Sequence, residues 1–270
     1  MILKKGDNNE IVKKIQAVLG VEQVGNFGPK TEEAVKAWQV KNGLKPDGVV
    51  GPATLAKMGI IVPTTASVTP TASTGTKYSK DKIETAVKAK GYKWFADKDF
   101  ILNIVGVRNS DTGKAVTNVF DDKITVSYMK SGAWFYHEWT NTTDPGKKGV
   151  KEFHNAKGVA RLVPGQYINS HGLGLHQGKY EALKQFNNVK VYRDADRDME
   201  YDENSIQEGL FGINIHKAGV DSTFVENWSE GCQVFKRQKD FESFMDIIRL
   251  AVKSGSKAFT YTLIESKDII

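Results

Sequence analysis

Residues 212–235 read Gly-Ile-Asn-Ile-His-Lys-Ala-Gly-Val-Asp-Ser-Thr-Phe-Val-Glu-Asn-Trp-Ser-Glu-Gly-Cys-Gln-Val-Phe. The apolar run Leu210 to Ile215 predicts a strand, which puts His216 at a strand end with a loop after it. That loop can return Cys232 beside His216. A thiol nucleophile needs a base within hydrogen-bond reach and a third group to hold the imidazole. Gly231 lets a substrate approach the backbone, and the N–H groups of Gly231 and Cys232 are candidate oxyanion donors. The plain alternative is that a lone cysteine in a folded domain is a small buried hydrophobe. Because the chain has one cysteine, an intramolecular disulfide and a multi-cysteine zinc site are both excluded.

Around this stretch the texture is strand-rich. Ile101 to Val107, Lys123 to Tyr128, Val189 to Tyr192 and Phe259 to Ile264 also read as strands. Helical patterns occur at Asp81 to Lys90, Lys179 to Phe186 and Asp240 to Lys253. In the last of these, Phe241, Phe244, Ile247, Ile248 and Ala251 share one face. The mixture predicts a β-rich α+β domain over residues 79–270.

Upstream, residues 61–78 are dominated by Thr, Ser, Ala and Pro. Such a stretch cannot bury enough apolar surface to offset its ordering cost. It reads as a linker, semi-extended through Pro63 and Pro70, able to separate two domains by up to ~60 Å. Residues 1–60 before it form a small helical unit. Ile11, Ile15, Val18 and Leu19 recur at helical spacing, Thr31 reads as the N-cap of Glu32 to Val40, and Pro52 opens a third helix. Two turns resemble each other: Gly25-Asn26-Phe27-Gly28-Pro29-Lys30-Thr31 and Gly48-Val49-Val50-Gly51-Pro52-Ala53-Thr54. They mark an internal pseudo-repeat.

Composition narrows the function little. The net charge of +6 admits an anionic partner, but no Lys/Arg block with interleaved aromatics points to nucleic acid. No apolar run approaches a membrane span, so no membrane insertion is expected. The start, Met1-Ile2-Leu3-Lys4-Lys5-Gly6-Asp7, lacks a signal peptide's apolar stretch and cleavage site. Synthesis in a cytoplasm without an export tag is the corresponding expectation.

The N-terminal motifs carry a resemblance. Leu3 to Asp7, Ile15 to Leu19, Gly25 to Thr31, Ala34 to Gln39, Gly43-Leu44 and Asp47 to Thr54 resemble, in order, the three-helix peptidoglycan-binding module of cell-wall hydrolases. The resemblance implies peptidoglycan as the partner. Helix N-termini after the paired turns offer N–H groups to a stem-peptide carboxylate. Asn26, Phe27 and Asp47 are the expected groove residues, while Trp38 reads as core.

Three patches of the second domain resemble the L,D-transpeptidase catalytic family. They are His216-Lys217-Ala218-Gly219, Ser229-Glu230-Gly231-Cys232, and Val163-Pro164-Gly165-Gln166-Tyr167. The resemblance implies Cys232 as nucleophile, His216 as base oriented by a backbone carbonyl such as that of Lys217, Ser229 as a loop-shaping residue, and Tyr167 in the substrate cleft. Lys217 and His171 are further expected substrate contacts. Departures are also present. Glu230 replaces the family's histidine, and Val234 replaces an Asn or Arg. A carboxylate beside the thiol disfavours the thiolate if it points inward. Glu230 therefore faces away, pairs with Lys217 or Lys236, or positions water.

Other clusters read as structural. His171 and His176 lie in a Gly-rich stretch that reads as a loop, with a place in the substrate cleft just after Tyr167 as the alternative; no ligand cluster accompanies them, so no metal site is expected. Asp194, Asp196, Asp198, Glu200 and Asp202 outline a calcium loop, but Met199 stands where Gly is required and Ser205 at the twelfth position. A solvated acidic turn is the reading. His137 and His154 read as structural. The combined expectation is a monomeric, cofactor-free peptidoglycan hydrolase of phage endolysin type. It would reach the wall through a permeabilised membrane, with a cysteine peptidase on an L,D-transpeptidase-like fold. An L,D-transpeptidase that forms cross-links and a non-catalytic wall-binding protein are the alternatives.

Overall fold

The computed structural model describes residues 3–8, 10–60, 76–111, 113, 115–152, 156–201 and 206–270. The chain separates into two compact units, Met1–Thr69 and Pro70–Ile270. Residues 61–75 of the expected linker, His154, Asp202 and Ser205 lie outside the described residues.

The first unit holds α1 (Glu10–Leu19), α2 (Pro29–Lys41) and α3 (Pro52–Lys57). Its core gathers Leu3, Val12, Ile15, Phe27, Val35, Val50, Leu55, Met58 and Ile60. The pseudo-repeat is built on two buried glutamines. Gln16 Oε1 accepts from Gly25 N at 2.8 Å, and its Nε2 donates to Asn26 O at 2.9 Å. Gln39 Oε1 accepts from Gly48 N at 3.0 Å, and its Nε2 donates to Val49 O at 2.9 Å.

Several expectations for this unit are corrected. Phe27 is fully buried in the core and is not a groove residue; burial of a phenylalanine side chain is worth about 1.5–3 kcal/mol, which holds it inward. Thr31 is not the N-cap of α2. Gly28 holds that place, with Pro29 opening the helix, and buried Thr31 accepts from Gln16 Nε2 at 3.0 Å. Asp47 is exposed, but its Oδ1 accepts from Gln39 Nε2 and Val49 N. Those bonds hold its pKa low and tie the side chain into the turn. Asn26 is exposed.

The second unit runs α4 (Lys80–Ala89), β1 (Asn103–Arg108), β2 (Asp122–Lys130), β3 (Ala133–Thr142), α5 (Lys147–Glu152), β4 (Val159–Leu162), β5 (Gly165–His176), β6 (Tyr180–Gln185), β7 (Val189–Asp194), β8 (Ile206–Gly209), β9 (Ile215–Lys217), β10 (Gln233–Phe235), α6 (Gln238–Lys253) and β11 (Phe259–Glu265). Eight strands close a barrel in the order β1-β11-β5-β6-β9-β10-β3-β2, and β4-β7-β8 form a separate sheet. The protein is thus mixed α+β, with helices at its N-terminus and a β-rich barrel domain after them. The apolar face of α6 packs Phe241, Phe244, Met245, Ile247, Ile248 and Ala251 into the same core as barrel residues Ile104, Leu183, Ile215, Phe235 and Tyr261. At the domain entry, the N–H groups of Lys77 and Tyr78 donate to the Glu138 carboxylate at 2.8 and 2.9 Å.

The expected helix Lys179 to Phe186 is instead occupied by strand β6, Tyr180–Gln185. Gln177 and Gly178 both have positive φ, at 49° and 72°. They are the central residues of a turn closed by Lys179 N donating to His176 O at 2.9 Å, within a three-residue hairpin loop over 177–179. Pairing of β6 with β5 then overrides the helix propensity of Glu181, Ala182, Leu183 and Lys184. The same hairpin places His171 and His176 in a strand, where a loop was expected. The predicted strand 210–215 also breaks, since β8 ends at Gly209 and β9 begins at Ile215. Gly212, at φ +73°, turns the backbone between them.

Candidate active site

β9 and β10 run parallel, with Gln233 opposite Ile215 and Val234 opposite His216. Alternation of side chains puts His216 and Val234 on one face of this pair. Cys232 immediately precedes β10, and Gln233 N donates to Asn214 O at 2.9 Å. The ladder that joins the two short strands therefore brings the Cys232 loop to the end of the strand that carries His216.

The loop itself is tightly bonded. Ser229 is buried; its Oγ donates to Cys232 O at 2.8 Å and accepts from Gly231 N at 3.1 Å. Its carbonyl accepts from Gly146 N at 2.9 Å. Gly231 has φ +120°, and a Cβ there would stand 2.2 Å from Ala160 O. Position 231 therefore requires glycine both for its backbone conformation and for its approach to β4. Behind this loop, buried Asp144 pairs with Arg161 Nε at 2.8 Å and with Arg108 Nε at 3.1 Å. These pairs hold the segment that carries Gly146.

Cys232 is half-buried. Its Sγ donates to Gly212 O at 3.3 Å. Burial raises its pKa to about 11; the Asn214 N–H opposes this and the Glu230 charge adds to it. His216 is buried, and burial, followed by the neighbouring His176 ring, lowers its pKa to about 3. Its Nδ1 lies 2.9 Å from Lys217 O. Since a carbonyl only accepts, Nδ1 carries the proton and Nε2 is the basic nitrogen. Tyr180 OH also donates to Lys217 O at 3.4 Å and lies 3.3 Å from His216 Nδ1. The resting pair is a neutral thiol and a neutral imidazole.

Several expected site residues have other roles. Gly231 N–H is taken by Ser229 Oγ, which leaves Cys232 N–H as the one of the two oxyanion candidates with no acceptor among the described residues. Glu230 is exposed and lies over Gly149. Among the described residues it pairs with neither Lys217 nor Lys236; Lys236 pairs with Asp221 at 3.6 Å, and Lys217 Nζ lies 5.3 Å from the Tyr180 ring centroid. Tyr167 donates to Val163 O at 2.6 Å and lines a cleft of about 360 Å³ with Pro164, Ile168, Lys190 and Glu208. Neither Cys232 nor His216 lines that cleft.

His171 is fully buried, with no exposed surface for the substrate contact expected of it. Its ring nitrogens lie 2.8 Å from Ser170 Oγ and 2.8 Å from Ile213 O. It fastens β5 to the segment that carries Gly212 and Asn214. His137 stacks between Tyr128 and Trp139. Asp194, Asp196 and Asp198 bring one oxygen each within 4.8 Å of one another. Asp194 is buried, not solvated, and accepts from Arg197 N and Met199 N as part of the turn.

Sequence reasoning missed Asn214 and Tyr180 as site residues and did not place His176. Asn214 Oδ1 accepts from Gln185 N at 3.0 Å, and its Nδ2 lies 3.3 Å from His176 Nδ1. The Gln177-Gly178 turn was the available signal for the last two, because it pairs His176 directly with Tyr180.

With this geometry in view, residues 10–58 match the family described as "Putative peptidoglycan binding domain". Residues 10–58 form a peptidoglycan-binding domain. A curated relative from Kitasatospora aureofaciens, the "Uncharacterized protein in bpoA1 3'region", is 44% identical over 64 residues, which is 21% of this chain. The match spans about half of that relative, 54% of its length. Among solved structures, a fused Zn-dependent amidase/peptidase/peptidoglycan-binding domain-containing protein from Clostridium acetobutylicum ATCC 824 is 16% identical, with a TM-score of 0.31, covering 98% of this chain and 99% of its own. The L,D-transpeptidase (residues 123–326) from Xylanimonas cellulosilytica DSM 15894 is 16% identical, with a TM-score of 0.24, covering 98% of each chain. No helix among the described residues is long and apolar enough to cross a membrane.

Proposed function

We propose that the protein is a peptidoglycan hydrolase that cleaves the peptide stem or cross-link of the bacterial wall through an acyl-enzyme on Cys232. One observation carries the reading. The strand-end His216 keeps Nε2 free as a base while Lys217 O holds Nδ1, and the β9–β10 ladder brings the Cys232 loop beside it. The peptidoglycan-binding domain on the same chain supplies the substrate class.

In this mechanism Sγ leaves its bond to Gly212 O, and His216 Nε2 takes the thiol proton as sulfur attacks a stem carbonyl. The S–C bond forms, and Cys232 N–H faces the developing oxyanion. The C–N bond then breaks, and the imidazolium returns its proton to the leaving amine. Water, deprotonated by the same Nε2, hydrolyses the thioester. Because the resting thiol is neutral, proton transfer accompanies attack. Lys217 is the substrate contact beside His216, and the exposed Glu230 helps position the hydrolytic water.

The test is turbidity clearing of purified peptidoglycan by the wild type beside Cys232→Ala, with mass analysis of the soluble fragments. Clearing that disappears in the variant, with shortened or uncrosslinked stems, is the expected result. New cross-links without clearing would identify amine transfer in place of hydrolysis. Equal clearing by both proteins would exclude Cys232.

A further inference from the structure

His176 is not used in the mechanism above, yet it makes the closest ring contact in the site. Its centroid stands 4.0 Å from that of His216, with the planes 20° apart. The ring is held from behind. The Asn214 amide is oriented by Gln185 N–H on its oxygen, so Nδ2 donates to His176 Nδ1. The remaining proton of neutral His176 therefore sits on Nε2. Tyr180, paired across the hairpin with His176, reaches over to His216 Nδ1 and Lys217 O. Two imidazoles, each locked by a separate hydrogen bond, thus lie face to face.

We propose that His176 is a positioning residue for His216: its stacked ring fixes the plane of the base and, when it carries a proton, bars His216 from accepting the one on Cys232. The inference rests on the reading of Cys232 and His216 as nucleophile and base. The charge argument follows from the stacking distance. Two unit charges ~4 Å apart at an effective dielectric of ~20 repel enough to weaken the second proton's affinity roughly a thousandfold. The groups facing the rings do not relieve this. Tyr180 from β6 is neutral, Lys217 from β9 is cationic, and Lys179 and Lys184 act on His176 with the same positive sign. Among the described residues no carboxylate acts on either ring, and Glu230 acts on Cys232 instead. His176 is the less buried of the two and takes the first proton at Nδ1, which gives up its bond from Asn214 Nδ2 to do so.

The experiment uses the full chain and two readouts that need no wall substrate. Histidine ring resonances are followed from pH 3 to 8 in protein labelled with 13C at histidine. Alkylation of the single cysteine by iodoacetamide is timed over the same range by intact mass. In the wild type the two rings should protonate in coupled steps, with alkylation falling at the first. His176→Phe keeps the stack and removes the charge. Its acid limb should move to lower pH, with the rate at the wild-type midpoint recovering about twofold, and His216 should protonate in one step above the wild-type second step. An unchanged limb in His176→Phe, or independent titration of the two wild-type rings, overturns the proposal. If His176→Phe loses its circular-dichroism signature, the wild-type ring titration and His176→Asn decide by the same criteria. A His216→Asn variant with an unchanged alkylation profile would instead overturn the nucleophile–base reading. The ring titration remains interpretable in that case, so the two failures are distinct.

Discussion

The tightest contact in the Cys232 loop is backbone against backbone, and Gly231→Ala probes it directly. The added methyl would stand 2.2 Å from Ala160 O, more than ~1 Å short of a relaxed contact. Neither partner is a flexible side-chain end, so a strand or the loop must move. Overpacking of this kind costs about 1–3 kcal/mol. The φ of +120° adds a further ~1–3 kcal/mol for a residue with a Cβ. The sum, about 2–6 kcal/mol, is a large part of the ~5–15 kcal/mol that stabilises a typical domain. It corresponds to a fall of roughly 4–24 °C in Tm for a domain of this size, at about 2–4 °C per kcal/mol. Gly212→Ala is the matched control: its φ is +73°, and nothing stands within 4 Å of the added methyl, so it carries the backbone cost without the clash. The assay is calorimetric melting of both variants beside the wild type, with iodoacetamide timing of Cys232. Gly231→Ala should lose more Tm than Gly212→Ala and change the alkylation rate. Equal losses in the two variants would refute the argument that β4 clamps the loop.

Two further outcomes follow from buried polar groups. His171 is held neutral by burial, with its pKa lowered to about 4 from an ordinary 6.5. Between these values the unfolded chain binds more protons than the folded one, so stability rises with pH through this window and is lost as pH falls. The contribution reaches ~3 kcal/mol by pH 4. Urea midpoints from pH 4 to 7 should therefore slope less in His171→Gln, and an unaltered slope would contradict the assignment. Gln39→Leu removes the partners of Gly48 N and Val49 O, at about 1–3 kcal/mol for each buried group left unpaired. Sacculus binding by the full chain should fall while the melt of the barrel domain stays in place; full binding by the variant would show that the turn holds without its glutamine.

The legible parts of the sequence were those with local causes. The apolar face of α6 carries its own period, so Phe241, Phe244, Ile247 and Ile248 announced the helix. The repeated Gly-x-x-Gly-Pro turns announced the N-terminal module. The misread parts were set by pairing at long range. Residues 179–186 have helix-forming composition, and their strand state comes from β5, a partner outside the window. Phe27 sits beside a turn glycine, so its sequence neighbourhood suggested a surface groove; only the closing of Leu3 onto Val50 and of Gly6 onto Phe27 shows why it is interior. At the candidate site, the nearness of the Cys232 loop to His216 was readable because the two segments are close in sequence and form the adjacent strands β9 and β10. Asn214, Tyr180 and His176 were not, since they meet only when the β5–β6 hairpin lies beside β9.

The barrel domain solves one backbone problem with the same device as the N-terminal module. Where the predicted strand 210–215 breaks, Gln185 Oε1 accepts from Phe211 N at 3.1 Å and from Ile213 N at 2.9 Å, and its Nε2 donates to Gly209 O and Asn187 O, both at 2.9 Å. Gln16 and Gln39 treat their turns in the same way. A primary amide carries a donor and an acceptor in one plane, as a peptide group does, and it is uncharged. It can therefore take a missing strand's place against buried N–H and C=O groups, which would otherwise cost about 1–3 kcal/mol each. A carboxylate at 185 would meet Gly209 O and Asn187 O acceptor to acceptor, and a lysine would have nothing to offer Phe211 N and Ile213 N. The break at Gly212 is what lets Gly212 O face the Cys232 sulfur, so the amide of Gln185 allows the strand to end where the site begins.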